Sequence, residues 1–284
     1  MREDTIKSFA KINLSLGVLG KYNKNFHRIE TLVSFIDLND RIKIKNINQK
    51  NHKVVFDGKF SKKIYKKNTV TKLLSILDKK NLLNSKKYKI RIKKNIPIEA
   101  GLGGGSMNAS SLLNYFLSKN KKKLTQNQLL EICNEIGSDV ILGIKKKNSI
   151  LLGDGKLIRS KSKLKLYTLM LKPNFGCSTK MLYKKVKKYS KPLLKKNHAN
   201  FSIKKLSNLN NDLEIVAFKK YPVLKRIKET MKTLPKVSFV KMTGSGSCII
   251  AFFNTKKASL NGAKILKKNI KTIGVFYLKL YKAF

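Results

Sequence analysis

The length and composition of the chain predict a globular protein without membrane spans. Its 284 residues, 42% of them hydrophobic, can bury the core of one large or two modest domains, and no apolar run approaches the ~18 residues that a span needs. The net charge of +49 suggests a nucleic-acid partner, but the lysines are spread along the whole chain without an RNA-recognition, zinc-finger or helix-turn-helix signature. Because Lys, Asn and Ile share A/T-rich codons, we favour a compositional cause and expect only non-specific attraction to polyanions at low salt.

The first elements are predicted to be strands, over residues 5–9 and 12–19. In the second, Ile, Leu and Val alternate with small polar residues, so one face is apolar. Lys11 stands at its start, where a surface position is the default, yet the apolar residues around it indicate that it points inward. His27 follows a turn rich in Asn and Lys, and alone it is more often structural than catalytic. Further strands are predicted over residues 29–36, 41–47 and 54–56.

A glycine-rich loop, residues 97–108, organises the middle of the chain. It follows a strand that contains Ile90 and Ile92, and an amphipathic helix begins immediately after it. A helix spanning about residues 69–83 comes earlier in the chain. Strand, glycine loop and helix together direct bare backbone N–H groups and a helix N-terminus at one point, which attracts phosphate. The alternative is a flexible loop with no ligand.

The glycine loop matches none of the common phosphate-binding or nucleophile patterns. No Lys follows the glycines, as a Walker loop requires, and Ser106 stands where the dinucleotide fingerprint has its third glycine. A nucleophile elbow is also absent, because Met107 and Asn108 follow Ser106. Spacing alone therefore predicts a phosphate cradle of another type.

The helix after the loop is followed by a second one with a capping box at residues 125–128 and an end at Gly137. Asp139 comes directly after that end and before the apolar run of residues 140–142. A carboxylate in this place is either a cap for the next turn or an active-site group, and the residues alone leave the two interpretations open.

The second half of the chain is predicted to be α+β. Its strands lie near residues 150–152, 167–171, 249–253 and 273–280, and a polar run at 159–163 suggests a boundary near 155–165. Predicted helices run from Ser178 to about 189, on both sides of Pro222, and over about 256–268. Residues 190–205 are predicted to be an exposed loop. Gly244 and Gly246 permit close backbone approach, although, taken alone, a tight turn into the next strand without a ligand is the favoured interpretation.

The three cysteines and the first residues indicate where the protein resides. Cys133, Cys177 and Cys248 are odd in number and scattered without metal-site spacing, so we expect free thiols in a reducing cytoplasm. The first four residues, Met-Arg-Glu-Asp, show no signal-peptide pattern.

Three stretches, in this order and at these separations, resemble the GHMP small-molecule kinases. They are residues 10–14 with the pair Phe26-His27 downstream, residues 97–109, and residues 242–248. Residues 137–140 stand where that family has its catalytic aspartate. The resemblance covers essentially the whole chain, and within the superfamily it is to the branch that phosphorylates the C2 hydroxyl of 4-diphosphocytidyl-2-C-methyl-D-erythritol, in the non-mevalonate route to isoprenoids.

The resemblance implies a fold, a reaction and cofactors. The fold is α+β, with an N-terminal domain like domain 2 of ribosomal protein S5 over residues 1–160 and a ferredoxin-like domain over 161–284. The cofactors are ATP and Mg²⁺, whose ligands stay unknown, and the partner is the small-molecule substrate, with no specific nucleic acid and no membrane. A monomer or a homodimer is expected, in the cytoplasm.

The resemblance also implies roles for single residues. Lys11 and Asp139 match the catalytic pair: Asp139 accepts or orients the hydroxyl proton, and Lys11 holds that hydroxyl and counters phosphoryl charge. The positions that match ATP-binding residues are Lys94, Pro97, Ala100, Gly101, Leu102, Gly103, Gly104, Gly105, Ser106 and Asn108. The positions that match substrate-binding residues are Asn13, Phe26, His27, Thr179, Gly244, Ser245 and Gly246.

Some positions depart from the family pattern. Phe26 replaces the commoner tyrosine and keeps the face that stacks on cytosine, while Asn25 replaces a glycine and puts the geometry of that turn in doubt. Glu99 and Ala100 stand where other members often have glycines, and little effect is expected. Two alternatives remain: a homoserine or mevalonate-type kinase, which would have no use for Phe26-His27, and a basic RNA-binding protein that has lost kinase activity.

Overall fold

The computed structural model describes residues 3–21, 27–62, 64–159, 165–194, 201–273 and 275–283, with side chains up to residue 268. Its contacts define two compact units, each assembled from separate segments of the chain. The first unit comprises Met1–Lys11, Leu38–Pro97 and Gly103–Lys146; the second comprises Ile12–Asp37, Ile98–Leu102 and Lys147–Phe284. The predicted domain boundary near residue 160 divides the chain once along its sequence, whereas each of these units combines several segments. The units therefore do not test that boundary, and it stays a prediction.

Two long strands contribute segments to both units. Strand β1 (Asp4–Lys21) pairs with β2 (His27–Ile47). The short strands predicted in these regions are therefore merged. The predicted break between the strands at residues 36 and 41 is wrong, because β2 continues through this region. The Asp and Asn residues there are typical of turns, but Asp40 is fully buried.

The first unit is a sheet with helices on one face. The end of β2 pairs antiparallel with β4 (Lys87–Lys93), and β3 (Lys53–Asp57) pairs parallel with β4. Alternate residues of β2 and β4, among them Ile42, Ile44, Ile90 and Ile92, are buried in the core of this unit. The period-2 pattern of these strands thus assigns one face to the core and the other to solvent.

Four helices cover the core of the first unit: α1 (Thr69–Lys79), α2 (Gly104–Lys119), α3 (Gln126–Ile136) and α4 (Val140–Ile144). The predicted capping box of α3 is confirmed, since Thr125 and Gln128 exchange side-chain and backbone hydrogen bonds of 3.2 and 3.0 Å. Helix α1 ends earlier than predicted, because Asn81 and Asn84 adopt left-handed backbone conformations.

The second unit contains an antiparallel sheet in the order β10, β7, β9, β8. These strands are β7 (Leu166–Pro173), β8 (Phe239–Met242), β9 (Ile249–Phe253) and β10 (Val275–Ala283). Strand β5 (Ser149–Leu151) pairs with β2 and with β6 (Leu157–Arg159). The predicted linker at residues 159–163 lies outside the described residues beyond Arg159.

The described residues of the second unit form five helices: α5 (Thr179–Lys184), α6 (Ile203–Asn208), α7 (Leu213–Lys220), α8 (Pro222–Lys232) and α9 (Lys256–Ile273). Helix α5 stops before the predicted end near 189, because the basic residues there offer no apolar stripe. The exposed loop predicted over 190–205 is wrong where Leu194 and Phe201 are buried and α6 begins. None of the described helices is long and apolar enough to cross a membrane.

The three cysteines are free and buried, as predicted. Burial raises the pKa of each thiol above its ordinary value. All three are therefore protonated near neutral pH and pack as small apolar side chains.

Candidate active site

An ion pair between Lys11 and Asp139 lies in the first unit. The Lys11 ammonium is 3.1 Å from a carboxylate oxygen of Asp139; the Lys11 side chain is 5% exposed and the Asp139 side chain 33% exposed. The inward position predicted for Lys11 is confirmed. A buried ammonium beside a half-open carboxylate can hold a hydroxyl and its proton at one point.

Asp139 stands at the N-cap position of α4, but its side chain makes no capping hydrogen bond. Its carboxylate points to Lys11 instead. Of the two interpretations left open by the sequence, the geometry therefore favours the site group over the helix cap. The carboxylate keeps enough exposure to meet a ligand, whereas a cap would be turned toward backbone N–H groups.

The N-terminus of α2 has the properties of a phosphate cradle. Its N-cap, Gly103, has a left-handed conformation at φ 64° and provides no side-chain cap, so the first N–H groups of the helix are left for a ligand. A Cβ at Gly103 would come within 2.8 Å of the Lys11 side chain, and one at Gly104 within 3.2 Å of the Lys94 ammonium. Because Gly103 and Gly104 have no side chains, Lys11 and Lys94 can approach the start of the helix. Two positive side chains beside free N–H groups are suited to binding the triphosphate of ATP.

A buried carboxylate, Asp40, anchors the strand end that leads into the glycine loop. It accepts hydrogen bonds from the backbone of Asn95 and Ile96, both at 2.8 Å, from the Asn108 amide at 3.0 Å, and from the Lys94 ammonium. The Asn108 Oδ1 atom is buried and has no partner among the described residues. Asp40 therefore fixes the entry of the loop and the first turns of α2 to one another. The sequence missed this residue.

We expect Asp40→Asn to destabilise the protein by about 3–5 kcal/mol, because it leaves the buried Lys94 ammonium without its counter-charge. Urea unfolding of the full chain measures this. Asp57→Asn is the matched control on the same sheet, since Asp57 forms an exposed ion pair with Arg91 that is worth about 0–1 kcal/mol. Equal stability of the two variants would contradict the anchoring role of Asp40.

In the second unit, the third motif holds the other part of the glycine loop. The carbonyl of Gly101 accepts a hydrogen bond from the Thr243 hydroxyl at 3.2 Å, and the carbonyl of Ala100 accepts one from Cys248 N at 3.4 Å. Leu102 is buried here. Glu99 adopts φ 49°, a conformation that favours glycine, which gives a physical reason for the glycine common at this position.

Several residues with predicted substrate roles also lie together in the second unit. Asn13 N donates to the Thr243 hydroxyl at 2.9 Å, and a Cβ on Gly244 would lie 3.1 Å from the Asn13 amide oxygen. Thr179 and Ser245 share a hydrogen bond of 2.8 Å between their hydroxyls. The third motif is therefore more than a turn into β9.

Asn211 holds the third motif in shape, and the sequence did not reveal it. Its amide donates to the carbonyls of Met242 and Gly244, both at 2.8 Å, and its own oxygen accepts from Leu213 N. An asparagine before a helix signals a cap, but only the fold shows that it also fixes the backbone of a glycine turn.

His27 presents an unpaired ring nitrogen in the second unit. Its Nε2 atom is buried and has no hydrogen-bond partner among the described residues, and its ring centroid is 5.1 Å from that of Tyr183. Burial, with a smaller contribution from Lys21, lowers the pKa of His27, so the ring is neutral near pH 7 and can either donate or accept. Gly246 lies in the turn of the third motif, and Phe26 lies outside the described residues.

Metal-binding groups are sparse. No cluster of three or more His, Cys, Asp or Glu side chains occurs among the residues that the structure describes. Mg²⁺ retains several waters and is commonly held by substrate phosphates with one or two carboxylates. Two groups of this chain could contact such a metal: the partly exposed carboxylate of Asp139 and Ser106 in the first turn of α2. So small a set of ligands fits a metal carried on ATP better than a metal held entirely by protein side chains.

Two family models match the chain. The model for the N-terminal domain of GHMP kinases matches residues 68–147, and the model for their C-terminal domain matches residues 191–272. Together they include α1 through α4 of the first unit and α6 through α8 of the second. The chain thus contains both the N-terminal and the C-terminal domain of the GHMP kinases, while the domain bounds 1–160 and 161–284 stay a prediction.

Relatives and solved structures are consistent with these matches. A 4-diphosphocytidyl-2-C-methyl-D-erythritol kinase from Pelagibacter ubique is 55% identical, with 91% of this chain and 92% of that protein covered. The protein of the same name from Caldicellulosiruptor bescii is 34% identical, with 94% and 96% covered. A crystal structure of 4-(cytidine 5'-diphospho)-2C-methyl-D-erythritol kinase shares the fold, with a TM-score of 0.75 at 20% identity and 99% of both chains covered.

A homoserine kinase from Cytophaga hutchinsonii shares the fold too, with a TM-score of 0.69 at 15% identity and 99% and 95% of the two chains covered. The α+β fold of the GHMP kinases predicted from the sequence is therefore confirmed. The chain belongs to the GHMP kinases and, among them, to the family of the 4-diphosphocytidyl-2-C-methyl-D-erythritol kinases.

Proposed function

We propose that the chain transfers the γ-phosphoryl group of ATP to the C2 hydroxyl of 4-diphosphocytidyl-2-C-methyl-D-erythritol. The observation that carries this proposal is the Lys11–Asp139 ion pair, in the same unit as an uncapped helix start that Gly103 leaves open to Lys11. The 55% identity to a relative with that name supports the choice of substrate. Homoserine kinases share the fold at low identity, so the fold alone leaves the acceptor alcohol open.

In this proposal Asp139 accepts the proton of the C2 hydroxyl or orients it. Lys11 donates a hydrogen bond to the same oxygen, and its ammonium, 3.1 Å from the Asp139 carboxylate, holds that carboxylate in place. In-line phosphoryl transfer depends mainly on positioning and on neutralising charge, so few groups are needed. Lys11 also supplies the positive charge that the missing Walker lysine would otherwise provide.

We assign the triphosphate to the N–H groups at the start of α2. Gly103, Gly104, Gly105 and Ser106 would contact it, and the loop residues Pro97, Ala100, Gly101 and Leu102 shape the approach. Lys94 and Asn108 are tied to Asp40, which supports a positioning role for both beside the nucleotide. The proximity of Lys94 to adenine stays a prediction.

Mg²⁺ bound with ATP would supply positive charge that offsets the charge of the phosphates. Asp139 and Ser106 are the residues of this chain that would hold it. Its coordination is thus expected to consist largely of phosphate oxygens and water.

We assign recognition of the cytidylyl group to Phe26 and His27. The unpaired Nε2 atom of His27 supports this assignment, because a buried polar atom without a partner costs free energy that a ligand can recover. Asn13, Thr179, Gly244, Ser245 and Gly246 are proposed to line the erythritol and diphosphate part of the substrate.

We further propose that the enzyme works in the cytoplasm, as a monomer or homodimer, and that it has no sequence-specific nucleic-acid partner. A pathway that makes isoprenoid precursors from phosphorylated intermediates fits such a location. Size-exclusion chromatography with light scattering measures the oligomeric state.

The substrate assignment is tested by offering three alcohols in an assay that couples ADP release to NADH oxidation. We expect turnover of 4-diphosphocytidyl-2-C-methyl-D-erythritol and none of homoserine or mevalonate. Clear turnover of homoserine, without turnover of the cytidylyl substrate, would end the assignment.

Phe26→Ala is expected to raise KM for the cytidylyl substrate. Loss of a base–aromatic stacking contact costs roughly 1–3 kcal/mol, which corresponds to about a 5- to 150-fold change. The KM for ATP should stay the same. Tyr65→Ala, which removes an aromatic ring that is 83% exposed, is the control, and an unchanged KM in Phe26→Ala would exclude Phe26 from the nucleobase site.

A further inference from the structure

The solvent face of the sheet in the first unit is densely cationic. The residues of β2, β3 and β4 that point away from the buried isoleucines include eight basic side chains, which together we name the cationic face: Arg41, Lys43, Lys45, Lys53, Lys87, Lys89, Arg91 and Lys93. The other outward positions on these strand segments are Ile47, Val55 and Asp57. On these strand segments the face is therefore mostly basic and free of aromatic side chains.

The strand register places like charges directly opposite one another. Arg41 pairs with Lys93, Lys43 with Arg91, and Lys45 with Lys89, while Lys53 on β3 is also opposite Lys89. Directly opposite like charges destabilise a sheet. An anion bound across the face would relieve this repulsion.

The acidic side chains close to this face neutralise only part of its charge. Glu3 pairs with Lys43, Asp57 with Arg91 and Asp78 with Lys87. Among the described residues, no carboxylate lies within 4.0 Å of the other five basic groups, which are Arg41, Lys45, Lys53, Lys89 and Lys93. The face keeps a strong local excess of positive charge.

Codon composition does not account for the whole pattern. It favours lysine, but the chain contains only six arginines and two of them, Arg41 and Arg91, lie on this face. Alternate residues along a strand are about 6.8 Å apart. This spacing is twice the rise along the axis of a duplex, about 3.4 Å for each phosphate of one strand.

We propose that the cationic face binds the phosphate backbone of nucleic acid without reading its sequence. The absence of aromatic rings on the face excludes base stacking there, and lysines and arginines in rows match a linear array of phosphates. A lipid surface fits less well, because the apolar outward residues of the face are only Ile47 and Val55, both partly buried, and they form no apolar stripe that could enter a bilayer. This inference does not depend on the proposed kinase activity.

The test compares two variants of the full chain, each of which loses four positive charges. The face variant carries Arg41→Gln, Lys45→Gln, Lys53→Gln and Lys89→Gln. The control carries Lys256→Gln, Lys257→Gln, Lys264→Gln and Lys267→Gln, four exposed lysines of α9. Fluorescence anisotropy measures the Kd for a short mixed-sequence RNA and for a duplex DNA over a series of salt concentrations, and the melting temperature and kinase activity report on folding.

We expect the face variant to bind both nucleic acids at least about tenfold more weakly than the control, with a shallower dependence of log Kd on log salt. Its melting temperature at low salt should be equal to or above that of the wild type, because opposed like charges are removed. Equal loss of affinity in the two variants would overturn the proposal and assign binding to the total charge. Binding that favours vesicles of anionic lipid over RNA at the same salt would also overturn it.

Discussion

Asp139→Asn is expected to lower kcat by about 10²–10⁴-fold, the usual contribution of a positioned acid–base group. The substitution keeps an oxygen that can accept a hydrogen bond from Lys11 but removes the charge and the basicity of the carboxylate. Because the Asp139 side chain is 33% exposed and caps no helix, the fold should be largely retained, and ATP should still bind through the N–H groups at the start of α2, with a modest loss from the weakened metal contact. Steady-state kinetics at saturating substrate measure the change in kcat, and nucleotide titration measures ATP binding.

Asp154→Asn is the matched control for this change. Asp154 pairs with Lys156 at 3.2 Å in an exposed turn that belongs to none of the three motifs. Its substitution should leave kcat unchanged. If Asp139→Asn lowered kcat by less than about tenfold, Asp139 would only orient the hydroxyl.

Gly101→Ala is expected to destabilise the protein by about 2–4 kcal/mol. Gly101 has φ 74°, and a Cβ there would lie 1.9 Å from the backbone carbonyl oxygen of Thr243. Backbone cannot rotate away as a flexible side chain can, so the loop or the third motif must shift. Urea unfolding measures the loss of stability, and a raised KM for ATP should accompany it.

Gly155→Ala separates the two causes of that loss. Gly155 has φ 82°, but a Cβ added there would meet nothing within 4 Å, so this variant carries only the backbone strain, about 1 kcal/mol. Similar destabilisation by both substitutions would show that the contact between Gly101 and Thr243 is loose in solution.

Much of the fold follows from local patterns in the sequence. The capping box at Thr125 and the predicted strand at residues 249–253 agree with the structure in type and closely in position. Patterns failed where tertiary contacts override local preference. Asp40 and its neighbours are typical of a turn, but the carboxylate is buried and satisfied by four donors. Leu194 and Phe201 are apolar residues in a basic stretch, and both are buried.

Some residues of the candidate site were also predictable from local sequence patterns, and others were not. Lys11 and the glycine loop were visible in the sequence, because an apolar strand around a lysine and a run of glycines before a helix are both unusual. The choice between two roles for Asp139 needed the three-dimensional structure, since only that shows its carboxylate meeting Lys11. Asp40 and Asn211 act through partners distant in sequence, so no local pattern reveals them.

Phosphorus NMR of the reaction product tests the central claim most directly. Purified chain is mixed with ATP, Mg²⁺ and 4-diphosphocytidyl-2-C-methyl-D-erythritol. The account predicts a new phosphomonoester at the C2 position, formed in equal amount with ADP by the wild type and nearly absent with Asp139→Asn. Release of ADP without that phosphomonoester, or its formation at undiminished rate by Asp139→Asn, would contradict the account.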